Sequence, residues 1–183
     1  MTTEPETETF NVARSGISRI ALGAATAAIL FAGSVQADGV TRHSLLGGNK
    51  FPIARAVEVP AGTSIIFHSG ITPTPLDPKA PAGTAAYWGD TKTQALSAFA
   101  RIKESLDQLG LSFGDVVAMT VYLVGDPAKG GRMDFEGFMA AYSQFFGTTE
   151  QPNLPARSTV QVAGLVQPGM LVEIEVQLAK KAK

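Results

Sequence analysis

The 183-residue chain contains no cysteine. That absence excludes a disulfide framework, a thiolate nucleophile, an iron–sulfur cluster and any cysteine-ligated zinc. Histidine is nearly absent too: His43 and His68 are the only two. One falls in the lead-in to the domain and the other at a strand end, so a histidine–carboxylate metal site has little to build from. A Ser-His-Asp triad would have to use one of them, and the chain has no G-x-S-x-G elbow. An excess of one charge is missing as well. Lys+Arg number 15 against 16 Asp+Glu, a net charge of −1, so the basic surplus that neutralises nucleic-acid phosphates is lacking and no nucleic-acid partner is expected.

Long apolar runs are scarce. Residues 20–33 (IALGAATAAILFAG) carry no charge, follow Arg14 and Arg19, and precede Val35-Gln36-Ala37. The run is shorter than the ~20 residues that span a bilayer as a helix, and no charged stop-transfer cluster follows. It reads as a secretory signal cleaved after Ala37, which predicts a periplasmic or secreted protein with no membrane attachment after cleavage. The chain as a whole is 45% hydrophobic, with 19 Gly and 11 Pro, the composition of a globular protein. The organisation expected is a signal peptide over residues 1–37, an extension and lead-in over 38–55, and one domain over 56–183.

Within that domain, residues 56–59 and 63–68 (TSIIFH) read as strands around the Pro60-Ala61-Gly62 turn, a predicted hairpin. Residues 71–89 hold Pro73, Pro75, Pro78 and Pro81 and are expected to form a long surface loop. Asp90 or Thr91 can cap a helix whose apolar positions Ala95, Leu96, Phe99, Ile102, Leu106 and Leu109 recur mostly every three or four residues before Gly110. Residues 115–124 (DVVAMTVYLV) form a β-branched run. Asp134 caps a second helix with Phe135, Phe138, Tyr142 and Phe145 on one face and Gly147 beyond it. Residues 158–162 and 171–178 read as strands; in the latter Val172, Ile174, Val176 and Leu178 alternate with Glu173, Glu175 and Gln177. The order ββ-α-β-α-ββ predicts an α+β fold with both helices on one face of the sheet, leaving the other face to meet something else.

Few residues offer chemistry. Lys129-Gly130-Gly131-Arg132 is an ordinary turn rather than a phosphate cradle. His68 reads as a structural or loop-packing histidine. Arg157 follows Pro155 at the threshold of a strand, where a planar guanidinium can grip a carboxylate in a cleft or form a surface ion pair. Glu173 stands on the polar side of its strand, either as part of a solvated face or, at a subunit interface, as a general acid/base.

His68-Ser69-Gly70, Leu76-Asp77-Pro78, Thr93-Gln94, Val116-Val117 with Thr120-Val121-Tyr122-Leu123, Tyr142 with Phe145-Phe146, Pro155-Ala156-Arg157-Ser158-Thr159-Val160 and Val172-Glu173-Ile174-Glu175 resemble, in order and spacing, the RidA/YjgF family. Its members are also called L-PSP endoribonucleases or reactive-intermediate deaminases, and the resemblance covers residues 56–179. It implies a chorismate-mutase-like α+β fold assembled as a homotrimer, with clefts between subunits. It further implies hydrolysis of 2-imino or 2-enamino acids to 2-keto acids and ammonia, without metal or organic cofactor. By the same resemblance Arg157 binds the substrate carboxylate, Glu173 orients water, and backbone groups near Gly70 and Thr159 complete the pocket. The chain departs from the pattern of the deaminating members at three pocket positions: Ile53 stands in place of a tyrosine, Met139 of an asparagine and Thr159 of a cysteine. The loop at 71–89 is longer, with Tyr87 and Trp88 as aromatic contacts. A larger or more apolar pocket follows. Two other functions are compatible with the resemblance: a trimer that binds a small carboxylate ligand without chemistry, and an endoribonuclease, which neutral charge and the lack of a histidine pair disfavour.

Overall fold

The computed structural model describes Met1 and residues 39–181. The signal expected over residues 1–37, with its cleavage after Ala37, lies outside the described residues apart from Met1.

Among the described residues the elements follow in the order β1 (Thr41–His43), β2 (Ala56–Glu58), β3 (Thr63–Ile71), α1 (Ala85–Trp88), α2 (Thr91–Leu109), β4 (Val116–Val124), α3 (Phe135–Tyr142), β5 (Ala156–Val162) and β6 (Val172–Lys181), with short 3-10 turns between some of them. β3, β6, β4 and β5 lie side by side in that order. β4 and β5 run parallel and the other neighbours antiparallel. The mixed sheet with two main helices is the expected α+β arrangement.

The helices form where sequence caps them. The Asp90 carboxylate accepts the Thr93 amide at 2.8 Å, and that bond holds its carboxyl below the ordinary aspartate value. Gly110 closes α2 in the left-handed conformation at φ 65°, which a side chain would resist. Between these ends Ala95, Ala98, Phe99, Ile102 and Leu106 are buried in one stripe. They meet Val121, Leu123, Ile174, Val176 and Leu178 from the sheet in a single core, where each large side chain contributes roughly 1.5–3 kcal/mol. α3 lies on the same side, capped by Asp134 through the Gly137 amide at 3.2 Å. It ends at Tyr142 rather than running on to Gly147, and the turn that follows still sends Phe146 into the core.

Two expectations are corrected. The predicted hairpin of residues 56–59 and 63–68 does not form: β2 pairs with β1, and β3 pairs with β6. The turn is present, but a turn does not choose ladder partners. β1 offers β2 a neighbour, anchored by the Arg42 guanidinium on the carbonyls of Val116, Leu154 and Gly114 at 2.8–3.0 Å. The β1–β2 ribbon carries Val57 to a small cluster of Val40, Val117 and Ala179, away from the helices. Second, the 71–89 segment is not all loop. Thr84 caps α1, and Trp88, only 2% exposed, donates its indole N–H to the Pro168 carbonyl at 2.9 Å. Trp88 is therefore an anchor of the segment and not a pocket contact.

Candidate functional site

β4 positions the site because both neighbouring strands can be measured against it. Arg157 pairs with Met119, and Glu173 with Tyr122. Met119 is buried in the helix-side core. Tyr122 is an odd number of residues further on, and side chains alternate along a strand, so it belongs to the opposite face. Arg157 and Thr159 thus face the helices, whereas Glu173 stands on the other side of the sheet.

On the helix side, Pro155 leads into β5 with its carbonyl accepting the Ala54 amide at 2.9 Å. Arg157 then enters a cage of aromatic rings. Its Cζ lies 4.2 Å from the Tyr142 centroid, 5.2 Å from Phe138, 5.5 Å from Phe51 and 5.9 Å from Phe135, all within cation–π reach. Nη2 contacts the Met139 sulfur at 3.2 Å. Nη1 is buried and has no hydrogen-bond partner, and the same is true of the Thr159 hydroxyl. Among the described residues no carboxylate pairs with this cation. Burial pulls the Arg157 guanidinium below its usual pKa and pushes the Tyr142 phenol up to about 12, against the charges of Arg157 and Arg42. Tyr142 stays protonated and donates to the Pro52 carbonyl at 2.8 Å. A cleft of about 410 Å³ at the entrance to β5 is lined by Leu45, Ile53, Arg55, Thr120, Arg157 and Ser158. Thr120 and Ser158 alternate with Met119 and Arg157, so their side chains belong to the face away from the helices.

On the other face, the β3–β6 register slips between His68 and Ile71, a bulge that brings Gly70 over Glu173. A Cβ built on Gly70 would overlap the Glu173 carboxylate. Its φ is not in the left-handed region, so closeness, not backbone freedom, demands glycine there. His68 flanks the bulge but points to the helix side, opposite core residue Val176, with Nδ1 2.8 Å from the Ser69 carbonyl and Nε2 2.8 Å from the Ser105 hydroxyl of α2. The first contact makes Nδ1 the donor, so a neutral ring accepts at Nε2. Nearby, Tyr122 donates to Glu175 at 2.8 Å, which raises the phenol pKa. Phe67, 76% exposed, stands on the same face with Ile65.

The arrangement therefore has two halves. One is a caged cation without a counter-ion; the other is a carboxylate seated beside a glycine bulge. The profile of the endoribonuclease L-PSP family matches residues 49–179. The chain belongs to this family. It is 34% identical over 112 residues to the 2-iminobutanoate/2-iminopropanoate deaminase of Salmonella typhimurium, covering 61% of this chain and 77% of that one. It is 33% identical over 124 residues to a RutC family protein of Pyrococcus abyssi, covering 68% and 83%. Among solved structures, YyfB of Yersinia pestis, a Rid-family protein of unknown function, superposes with a TM-score of 0.52 at 23% identity, covering 69% of this chain and 86% of that one. That likeness speaks for the shared fold alone.

In this L-PSP chain the residues singled out from sequence divide between the two halves. Arg157, Thr159 and Met139 belong to the helix side, Ile53 lines the cleft at the entrance to β5, and Gly70 and Glu173 belong to the open face. No metal-binding cluster of acidic and histidine side chains occurs among the described residues. Sequence reasoning did not single out Phe51 as a site residue, and it took Phe135, Phe138 and Tyr142 for core alone. Their periodicity marked a buried face, but nothing local said that a cation would share it.

Proposed function

We propose that this protein hydrolyses the C=N bond of 2-imino acids, which interconvert with 2-enamino acids, to 2-keto acids and ammonia in clefts between the subunits of a homotrimer. What carries this reading is the Arg157 guanidinium: a largely buried cation with an unpartnered Nη1 and no carboxylate beside it among the described residues. A desolvated donor without a partner is completed by an anionic ligand, and a carboxylate matches its fork. The deaminase named among the relatives supports the same substrate class.

In this mechanism Arg157 binds the substrate carboxylate and orients C2. A water molecule attacks C2, the C=N π electrons move to nitrogen, and a proton passes from water to nitrogen through Glu173. The tetrahedral carbinolamine then collapses. The carbinolamine hydroxyl gives its proton to the Glu173 carboxylate, which relays it to nitrogen as the C–N bond breaks; nitrogen leaves as ammonia with the bonding pair, and the former hydroxyl oxygen becomes the keto oxygen. Because Arg157 and Glu173 stand on opposite faces of one sheet, the second half must come from a neighbouring copy, to which the open face with Phe67 would turn.

A second reading, carboxylate binding without turnover, is favoured by Ile53, which lines the cleft at the entrance to β5, and by Met139, whose sulfur rather than a polar group meets Arg157 Nη2. The test is ammonia and keto-acid release by the full chain from enzymatically generated 2-aminoacrylate, with Arg157→Ala alongside. Release that vanishes in the variant supports hydrolysis. Calorimetric binding of pyruvate without release supports the second reading, and scission of a model RNA would replace both. Export is proposed on the first 37 residues only, and an intact mass starting at Asp38 would support it.

A further inference from the structure

We propose that Phe51 is a gate over Arg157: its ring covers the guanidinium when closed and swings into a neighbouring cavity to admit a carboxylate. The proposal rests on the carboxylate reading above for what passes the gate, but not for the gate itself. The rings around the guanidinium are of two kinds. Phe138 and Tyr142 are fully buried parts of α3. Phe51 is 37% exposed and comes from the segment before β2. Its ring lies 5.5 Å from Cζ and stacks on Phe135 at 6.2 Å and 16°. Nη1 of the same guanidinium is shut away from solvent without a partner. Leaving such a donor unpaired costs free energy that an arriving acceptor recovers.

The backbone that carries Phe51 is pinned. Tyr142 Oη donates to the Pro52 carbonyl at 2.8 Å, the Ile53 amide to the Phe51 carbonyl at 2.8 Å, and the Phe51 amide to Asn49 Oδ1 at 2.9 Å. Movement is thereby confined to rotation of the side chain. An open cleft of about 300 Å³ lies beside the same segment, lined by Leu45, Phe51, Ile53 and Leu154 together with Arg42 and Lys50. Its volume exceeds the ~150 Å³ that accepts benzene, so the ring has room against the apolar part of its wall. Phe51 itself lines this cleft, so its ring need only rotate to enter it. Opening exchanges the Phe135 stack for contacts with Leu45 and Leu154.

Phenylglyoxal, which modifies accessible guanidinium groups, reads the gate without any substrate. Peptide mass spectrometry follows its rate at Arg157 in the full chain, for wild type, Phe51→Ala and Phe51→Trp, with exposed Arg132 as the internal reference. A gate open in roughly one molecule in ten makes Arg157 about tenfold faster in Phe51→Ala at an unchanged Arg132 rate, with Phe51→Trp no faster than wild type. Equal Arg157 rates in wild type and Phe51→Ala overturn the gate. Protection of Arg157 by pyruvate at lower concentration in Phe51→Ala than in wild type supports gate and carboxylate together. Faster labelling that pyruvate never slows overturns the carboxylate reading and leaves the gate standing.

Discussion

Arg157 and Glu173 lie on adjoining stretches of one sheet but on opposite faces of it, because their partners on β4, Met119 and Tyr122, are three residues apart. If catalysis needs both, each active site draws on two chains, and two inactive variants should repair each other. Arg157→Ala and Glu173→Ala are each expected to lose turnover. Mixed at equal amounts after denaturation and refolding, the random trimers that the proposed homotrimer would form should regain about a quarter of wild-type activity, since one interface in four joins the two intact halves. Mixtures as dead as their components would place both groups in a single-chain site or remove one from catalysis.

Gly70→Ala tests the bulge. The added methyl meets the Glu173 carboxylate, the free end of a flexible side chain that can turn away. Urea denaturation should therefore show a loss of no more than about 1 kcal/mol, whereas kcat should fall because the carboxylate moves. In the Gly70→Ala/Glu173→Ala double variant activity should be no lower than in Glu173→Ala, since both changes act through the same carboxylate.

Arg157→Met separates stability from function. Removing a desolvated cation that lacks a counter-ion is favourable, and the loss of its ring contacts offsets part of the gain. The variant is expected to be more stable by about 1 kcal/mol while losing binding of pyruvate. A variant markedly less stable than wild type would show that the aromatic cage holds the guanidinium for structural reasons.

Alkaline pH should weaken the fold through Tyr142. Its folded pKa, pushed up to about 12 by burial, lies above the ordinary tyrosine value. A raised pKa contributes stability that is complete below about pH 10 and is lost as pH climbs toward 12, by roughly 2–3 kcal/mol for this group. Tyr142→Phe should be less stable at neutral pH, having lost the bond to Pro52, yet show a shallower decline in denaturation midpoint between pH 9.5 and 11.5.

Gln94 is a further point of leverage. Fully buried, it donates to the carbonyls of Gly89 and Gly169 and accepts the Leu171 amide at 2.7 Å, tying the end of the long segment to the start of β6. Gln94→Leu strands three backbone groups, at about 1–3 kcal/mol each where water cannot reach them. Chemical denaturation should register a loss of about 3 kcal/mol or more.

Local chemistry made much of this legible from the residues alone. Asp90 and Gly110 bound α2 because capping and left-handed closure are short-range effects, and alternation along residues 172–178 put Glu173 opposite the core. The order of residues such as Pro155-Ala156-Arg157 pointed to the family. What could not be read was who neighbours whom. The Pro60–Gly62 turn suggested a hairpin, but β3 found β6 and β2 found β1, since ladder partners are chosen by burial and availability across the whole chain. Trp88 looked like a pocket aromatic until Pro168, 80 residues away, proved to hold its indole. The sequence by itself determined the two main helices, the faces of the last strand and a nearly neutral, cysteine-free chain with Arg157 poised at a strand entrance. Only the tertiary structure decided that Phe51, Phe135, Phe138 and Tyr142 enclose that arginine, and that Glu173 faces away from it, because strand register and the meeting of distant rings are non-local outcomes of packing.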